Sequence, residues 1–123
     1  MRLVRVVNRT RGAVLAERAE LATSSWARFW GLMGRRELPP GTGLVLQPGG
    51  GIHTWFMRIP IDVVHVGRNR VVTHVVRAIN PWRFGPLLVG GKQAIELPVG
   101  AAASTQPGDE IEIETVADVV AQP

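Results

Sequence analysis

Two carboxylates in apolar surroundings are the first candidates for chemistry. Asp62 lies at the start of the apolar segment IDVVHV, and Glu96 lies inside the run QAIEL. Burying a carboxylate without a partner is costly, so each one needs backbone N–H groups, an arginine or a ligand. Arg58 and Arg83 are the candidate ion-pair partners. A structural carboxylate that fixes a turn is the favoured interpretation, and acid–base work in a small hydrolase, with His53 as a third candidate, is the alternative.

Two aromatic segments are candidates for the walls of a binding groove. In HTWFMR (53–58) an extended backbone points Trp55 and Met57 to one side, which then needs a cover. The long loop at 79–91 carries PWRF, and an apolar loop of this length is unusual unless it packs down or holds a ligand. If the loop docks on the Trp55 side, Arg83 must find an anionic group or a carbonyl. The sequence therefore predicts a groove between HTWFMR and PWRF that takes a small molecule or a peptide.

These side chains define one candidate polar cluster, for ligand binding or for structure. Its members are His53, Trp55, Met57, Arg58, Asp62, Trp82, Arg83 and Glu96. No catalytic role is assigned to any of them, because neither a GxSxG nor an HExxH motif occurs. The stretch 85–92 lacks the hydroxyl that follows the lysine of a phosphate loop, so nucleotide binding there is rejected. The favoured function is a non-enzymatic binding or accessory domain with no cofactor.

Cysteine and histidine usage limits the metal chemistry. The chain has no cysteine, which excludes disulfides, a disulfide-linked partner and thiolate metal sites. A hairpin turning at residues 68–69 would place His65 and His74 on one face. Two imidazoles bind a metal tightly only with a third ligand, and no short-spaced pair of ligands supports one. We therefore predict no metal site and interpret both histidines as partly exposed strand residues.

Charge is unevenly distributed along the chain. Lysine and arginine number 14 against 10 acids, and five of the acids fall in the last 15 residues. The remaining body is strongly basic and would attract phosphate or nucleic acid. Because no basic run is interleaved with aromatic residues, nucleic-acid binding by the arginine-rich body is disfavoured and is kept only as a second alternative.

The elements that position these residues are short. Frequent glycine and proline cut the chain into pieces typical of a mostly-β domain. The predicted strands are 2–7 paired with 13–17, 43–47, 62–67 paired with 70–77, 93–97 and 109–115. Trp30 and Met33 belong to an apolar stripe that predicts a buried helix face over 23–33. A second short helix is predicted over 98–105, beginning at Pro98.

One domain over 1–123 accommodates these elements, with an acidic C-terminal strand and tail at 109–123. The expected fold class is mostly β (α+β): short antiparallel strands form a sandwich or a partly open barrel, with one or two short helices. No apolar run reaches the roughly 18–20 residues that span a bilayer, and arginines interrupt the N-terminal segment where a signal peptide has its apolar centre. We expect a cytoplasmic protein that does not bind membranes.

Several motifs resemble a known family. They are GLM at 31–33, GLVL at 43–46, HTWFMRIPIDVV at 53–64, PWR at 81–83, IELPVG at 95–100 and GD at 108–109. In this order and spacing, over about residues 13–115, the chain resembles the prokaryotic family called domain of unknown function 192. The most specific pieces are HTWFMRIPID and ELPVG, and the chain departs from the family pattern at His65, where an aromatic residue is frequent. The resemblance implies a compact, mostly-β fold and no established reaction, cofactor or partner.

Overall fold

A computed structural model of the protein describes residues 2–23, 38–47, 59–80 and 91–118. Seven strands make up most of these residues. They are β1 (Arg2–Asn8), β2 (Ala13–Ala22), β3 (Thr42–Leu46), β4 (Ile61–Val66), β5 (Val72–Ile79), β6 (Gln93–Pro98) and β7 (Ile111–Asp118). One short 3-10 turn, Arg68–Arg70, connects β4 to β5. The predicted mostly-β class and all seven predicted strands are confirmed.

The strands form one open sheet in the order β5-β4-β6-β3-β2-β1-β7. Neighbours pair antiparallel except β2 and β3, which run parallel in the register that sets Ala19 opposite Gly43. The sandwich or partly open barrel stays a prediction. No helix in the described part of the chain is long and apolar enough to cross a bilayer.

The two predicted helices have different outcomes. The helix over 23–33, with Trp30 and Met33, falls almost entirely outside the described residues. The helix predicted over 98–105 is wrong, because that segment is a series of turns closed by bonds such as Ala101 N–H to the Pro98 carbonyl at 3.0 Å. Gly100 has φ +96° there, a left-handed conformation that interrupts any right-handed helix.

Each face of the sheet carries its own apolar cluster. We define the first face by Val4, Val6, Val45, Val64, Val66, Val72, Ile95, Leu97 and Ile111. We define the second face by Ala22, Leu44, Leu46, Ile61, Val63 and Ala94, on which Leu38 packs. Successive residues of β4 and β6 alternate between the two clusters, as the pleat of a strand requires. All six residues of β4 are buried, so this strand has no solvent face.

Candidate functional site

Asp62 is fully committed to backbone hydrogen bonds on the first face. Its side chain is 1% exposed. Oδ1 accepts the Ala78 N–H at 2.8 Å, and Oδ2 accepts the N–H groups of Gly100 at 3.0 Å and Ala102 at 3.3 Å. The carboxylate thus joins the end of β5 to the turn after β6. The expectation of a buried carboxylate held by backbone donors is confirmed, and the bonds themselves support the structural interpretation.

Arg77 also binds the turn after β6. Its Nη2 donates to the carbonyl oxygens of Ala102 and Thr105. Ala102 is therefore bound through both its N–H, by Asp62, and its carbonyl, by Arg77. These two contacts add to the local backbone bonds of the turn, in which the Thr105 N–H donates to the Ala102 carbonyl at 3.1 Å.

Glu96 has very different surroundings on the second face. It is 5% exposed and lies in β6 between Leu44 of β3 and Val63 of β4. No hydrogen bond or ion pair joins its carboxyl group to any described residue. Burial raises the pKa of Glu96 from 4.5 to about 7, because the charged form loses its hydration. The candidate partners Arg58 and Arg83 lie outside the described residues. With a pKa of about 7, the carboxyl group is partly protonated at neutral pH.

His65 is a buried polar residue that sequence reasoning missed. It pairs with His74 across β5 and with Ala94 across β6, and it is 0% exposed. Neither ring nitrogen has a hydrogen-bond partner among the described residues. Burial first, and the charge of His74 second, lower the pKa of His65, so its ring is neutral. The signal was available in the run VVHV, which is typical of a strand buried on both faces.

The two histidines do share one face, as predicted, but only one of them is exposed. His74 lies at the solvent side of β5, whereas the interpretation of His65 as partly exposed is wrong. On the same face Glu96 lies diagonally from His65, since Val63 pairs with Glu96 and His65 with Ala94. Within the described ranges, no group of three histidine or acidic side chains is arranged to hold a metal ion.

A third buried acid is Asp109, which the sequence analysis placed in the acidic tail and in the GD motif but not among the candidate site residues. Its Oδ2 accepts from Asn8 Nδ2 at 2.9 Å, Arg11 Nε at 2.7 Å and the Gln106 N–H at 2.9 Å. The bonds from Arg11 and Asn8 lower the pKa of Asp109 from 3.8 to about 2. Asn8 also donates to Thr105 at 3.1 Å, so this network fixes the β1–β2 turn against the turn before β7.

Six members of the predicted polar cluster lie outside the described residues. They are His53, Trp55, Met57, Arg58, Trp82 and Arg83. Their attachment points are described, because HTWFMR ends one residue before Ile59 and PWRF begins directly after Asn80. Ile61 pairs with Ile79, so both segments join the same end of the β4–β5 hairpin. Ile59 and Ile79 pack against the second face, on which Glu96 lies.

Comparisons with known proteins agree with this fold. A family model described as an uncharacterized ACR, domain of unknown function 192, matches residues 6–113. The UPF0127 protein of Thermococcus sibiricus is 34% identical over 119 residues, which cover 89% of this chain and 74% of that protein.

Two solved structures are also similar. A protein of unknown function from Novosphingobium aromaticivorans matches with a TM-score of 0.77 and 28% identity, over 89% of this chain and 83% of that one. A putative transcription regulator from Sinorhizobium meliloti matches with a TM-score of 0.73 over 90% and 92% of the two chains, and at 20% identity it shows the fold alone. The resemblance found in the sequence is confirmed, and the chain belongs to the uncharacterised family of domain of unknown function 192.

Proposed function

We propose that this protein is a small non-enzymatic binding or accessory domain, with a groove between the HTWFMR segment and the PWRF loop. The groove takes an uncharged small molecule or a peptide segment. The observation that carries the proposal is Glu96, a buried carboxyl group without a described partner, on the face to which both segments attach.

The strand pairing supports the position of the groove. Ile61 and Ile79 are partners, and Pro98 lies opposite Ile61 on the other side. The chain therefore enters β4 and leaves β5 at one end of the second face. Segments that start from neighbouring points are favourably placed to form two walls over the same apolar surface.

The chemistry of Glu96 supports an uncharged ligand. A protonated carboxyl group donates one hydrogen bond, and Leu44 and Val63 on either side offer only apolar contact. Such a surface recognises an apolar molecule that presents one carbonyl or ether oxygen. A carboxylate ligand would be rejected when Glu96 loses its proton, because two like charges would then meet in an apolar site.

The positions of Asp62 and Glu96 argue against the alternative function as a hydrolase that uses both carboxylates. Asp62 pairs with Leu97, and Glu96 pairs with Val63, so the two acids point to opposite faces of the sheet. They cannot act together on one substrate. Asp62 is further occupied by three backbone N–H groups, which suits an anchor better than a base.

The finer shape of the sheet is also inferred. Val71, just before β5, forms an isolated bridge with Glu110, just before β7, so the two edge strands approach each other at one corner. The Val72 N–H also donates to the Asp109 carbonyl at 2.8 Å. These contacts support a sheet that curls towards a partly open barrel.

Native mass spectrometry of the purified protein tests the proposal. We expect a co-purified mass that is retained in Glu96→Gln, which keeps a hydrogen-bond donor, and lost in Glu96→Leu, which does not. The exposed Glu114→Gln is the matched control and should retain the mass. Retention of the mass in Glu96→Leu would show that Glu96 does not contact the ligand, and its loss in Glu96→Gln would show that a donated hydrogen bond is not what holds it.

Arg83→Ala separates a ligand-binding role of the PWRF loop from a purely structural one. Retained stability with loss of the bound mass assigns Arg83 to the ligand site. Loss of stability with the bound mass unchanged assigns it to fixing the loop against the core.

A further inference from the structure

An open cleft lies at the other end of the β4–β5 hairpin, around its turn. Its volume is about 580 Å³, and it is lined by Gln47, Gly67, Arg68, Asn69, Arg70, Lys92 and Gln93. This size falls in the range of roughly 300–1,000 Å³ that is usual for small-molecule sites. The polar lining consists of three cations and three side-chain amides.

Hydrogen bonds to neighbouring strands fix the positions of the residues that line the cleft. The Lys92 N–H donates to the Val66 carbonyl at 2.9 Å, which sets the lysine beside the turn. Gln93 Nε2 donates to Gln47 Oε1 at 3.1 Å and links β6 to the residue after β3. Gly67 is required for close packing, because a Cβ there would come within 2.8 Å of Thr73 Cγ2.

The turn itself holds an unfavourable backbone conformation. Asn69 has φ +58° and Arg70 has φ +60°. Asparagine tolerates the left-handed region, but a long side chain such as arginine is rare there. Backbone strain of this kind is concentrated at ligand sites, where it aims a particular side chain.

Among the described residues, the three cations of the cleft have no counterion, unlike the two arginines of the turn after β1. Arg9 pairs with Glu112 at 2.9 Å, and Arg11 pairs with Asp109 at 2.7 Å. No ion pair or hydrogen bond from the side chains of Arg68, Arg70 or Lys92 is found within the described ranges. Glu110 bridges to Val71, the residue after Arg70, and it forms no ion pair with Arg70 within the described ranges. Three positive charges that have no counterion in the described part of the chain therefore line one open cleft.

We propose that this cleft binds a small molecule through a phosphate or diphosphate group. Two guanidinium groups and an ammonium group balance the multiple charges of a phosphoryl anion better than the single charge of a carboxylate. The amides of Asn69 and Gln93 would then hydrogen-bond the remainder of the ligand, for which the volume leaves room. The site lies at the opposite end of the hairpin from Ile61 and Ile79, so it does not depend on the proposed groove.

A concave cleft with three cations favours a small ligand over a nucleic acid. A nucleic-acid surface needs a row of cations that follows successive phosphates. The free arginines and lysine here converge on one space instead of forming a row.

Isothermal titration calorimetry with sodium pyrophosphate, at low ionic strength, tests this assignment. We expect saturable binding by the full chain that weakens about tenfold or more in Arg68→Gln and in Lys92→Gln, because each removes one charge-assisted contact. Arg18→Gln is the matched control: it removes the same charge from an exposed strand position outside the cleft. Its affinity for pyrophosphate should stay within about twofold of the wild type.

Three results would overturn the proposal. One is the absence of saturable pyrophosphate binding by the wild type. Another is an equal loss of affinity in Arg18→Gln, which would indicate only a general attraction to a basic protein. The third is tight binding of a short DNA duplex that pyrophosphate does not displace, which would assign the cations to a nucleic-acid surface. Thermal unfolding of each variant confirms that the cleft variants are folded, so a lost affinity can be assigned to the cleft.

Discussion

Asp62 on the first face and Glu96 on the second are buried carboxyl groups of neighbouring strands, and the sheet accommodates them in opposite ways. Asp62 receives three backbone N–H groups, whereas Glu96 lies between leucine and valine side chains. His65, also on the second face, has no partner for either ring nitrogen among the described residues. Among the described residues, Asp62 on the first face has all its hydrogen-bond partners, whereas Glu96 and His65 on the second face have none.

This difference suggests that Asp62 serves the structure of the sheet, whereas Glu96 is available to a ligand. A carboxylate that accepts three hydrogen bonds gains little from a ligand and loses much when it is altered. A neutral, unpartnered group destabilises the fold, so replacing it by an apolar residue should raise stability. Stability measurements therefore test the comparison directly.

Asp62→Asn should have the largest effect. The amide keeps one acceptor but turns its own N–H groups towards the donors of Gly100 and Ala102, and the loss should be about 4 kcal/mol in the free energy of unfolding. Urea denaturation measures it, and Glu114→Gln, at an exposed acid, should stay within about 0.5 kcal/mol of the wild type. A loss below about 1 kcal/mol would remove Asp62 as the anchor of the first face.

Glu96→Gln should not destabilise the protein as Asp62→Asn does, and comparing it with the wild type should reveal a pH dependence of the free energy of unfolding. The folded protein binds the Glu96 proton more tightly than the unfolded chain does, since its pKa rises from 4.5 to about 7. Relative to Glu96→Gln, the wild type should therefore lose about 3 kcal/mol of stability as the pH rises through this interval. Urea titrations of both proteins at several pH values measure the difference. A difference that does not change with pH would show that Glu96 is charged when folded.

Asp109→Asn extends the comparison to a second satisfied carboxylate. Losing the charge weakens the bonds from Arg11, Asn8 and Gln106, and we expect a cost of about 2 kcal/mol at neutral pH. Because the pKa of Asp109 is lowered from 3.8 to about 2, the wild type should lose this advantage as the pH falls through that interval. Glu112→Gln, which removes the exposed ion pair with Arg9, should cost less than about 1 kcal/mol. Equal losses of stability in Asp109→Asn and Glu112→Gln would mean that burial does not strengthen the contribution of a carboxylate to stability.

His65→Leu should give the smallest effect and the opposite sign. The substitution removes two ring nitrogens that have no hydrogen-bond partner among the described residues. This should raise the free energy of unfolding by about 1 kcal/mol at pH 7. The pKa of His65 is lowered from 6.5, so the unfolded chain takes up the proton first and the wild type weakens further as the pH falls below 6.5. Thermal and urea unfolding at two pH values measure both effects. His74→Gln, at the exposed paired position, is the control, and a strong destabilisation by His65→Leu would reveal a partner for the imidazole.

Local patterns were sufficient to predict the strands and the burial of Asp62. The alternation of apolar and acidic side chains predicted β7, and flanking glycine and proline residues predicted the ends of β4 and β6. The place of the hairpin turn was also predicted from Asn69, which does adopt the left-handed conformation, but the turn is a 3-10 turn over Arg68–Arg70 and not a two-residue turn at 68–69. These features depend on neighbours in the chain, which a sequence displays directly.

The remaining features depend on residues that are distant in sequence. The parallel pairing of β2 with β3 and the insertion of β6 between β3 and β4 have no local signature. The burial of His65 and the network around Asp109 likewise arise only when distant segments meet, as with Asn8 and Asp109, which are 101 residues apart. The cleft around Arg68 and Lys92 was not predicted either. Arg68 follows β4 and Lys92 precedes β6, so only the pairing of these two strands brings the residues together.

The pairing of β1 with β7 has a consequence for the order in which the protein is made and folded. Strand β1 is synthesised first, and its hairpin with β2 needs only local contacts. The opposite edge of β1 pairs with β7, the last of the seven strands in sequence, so its N–H and C=O groups stay without their final partner until β7 has emerged. Closing so long a loop slows folding and leaves an unprotected edge during synthesis. We expect the nascent chain to be most prone to aggregation in the interval before β7 leaves the ribosome.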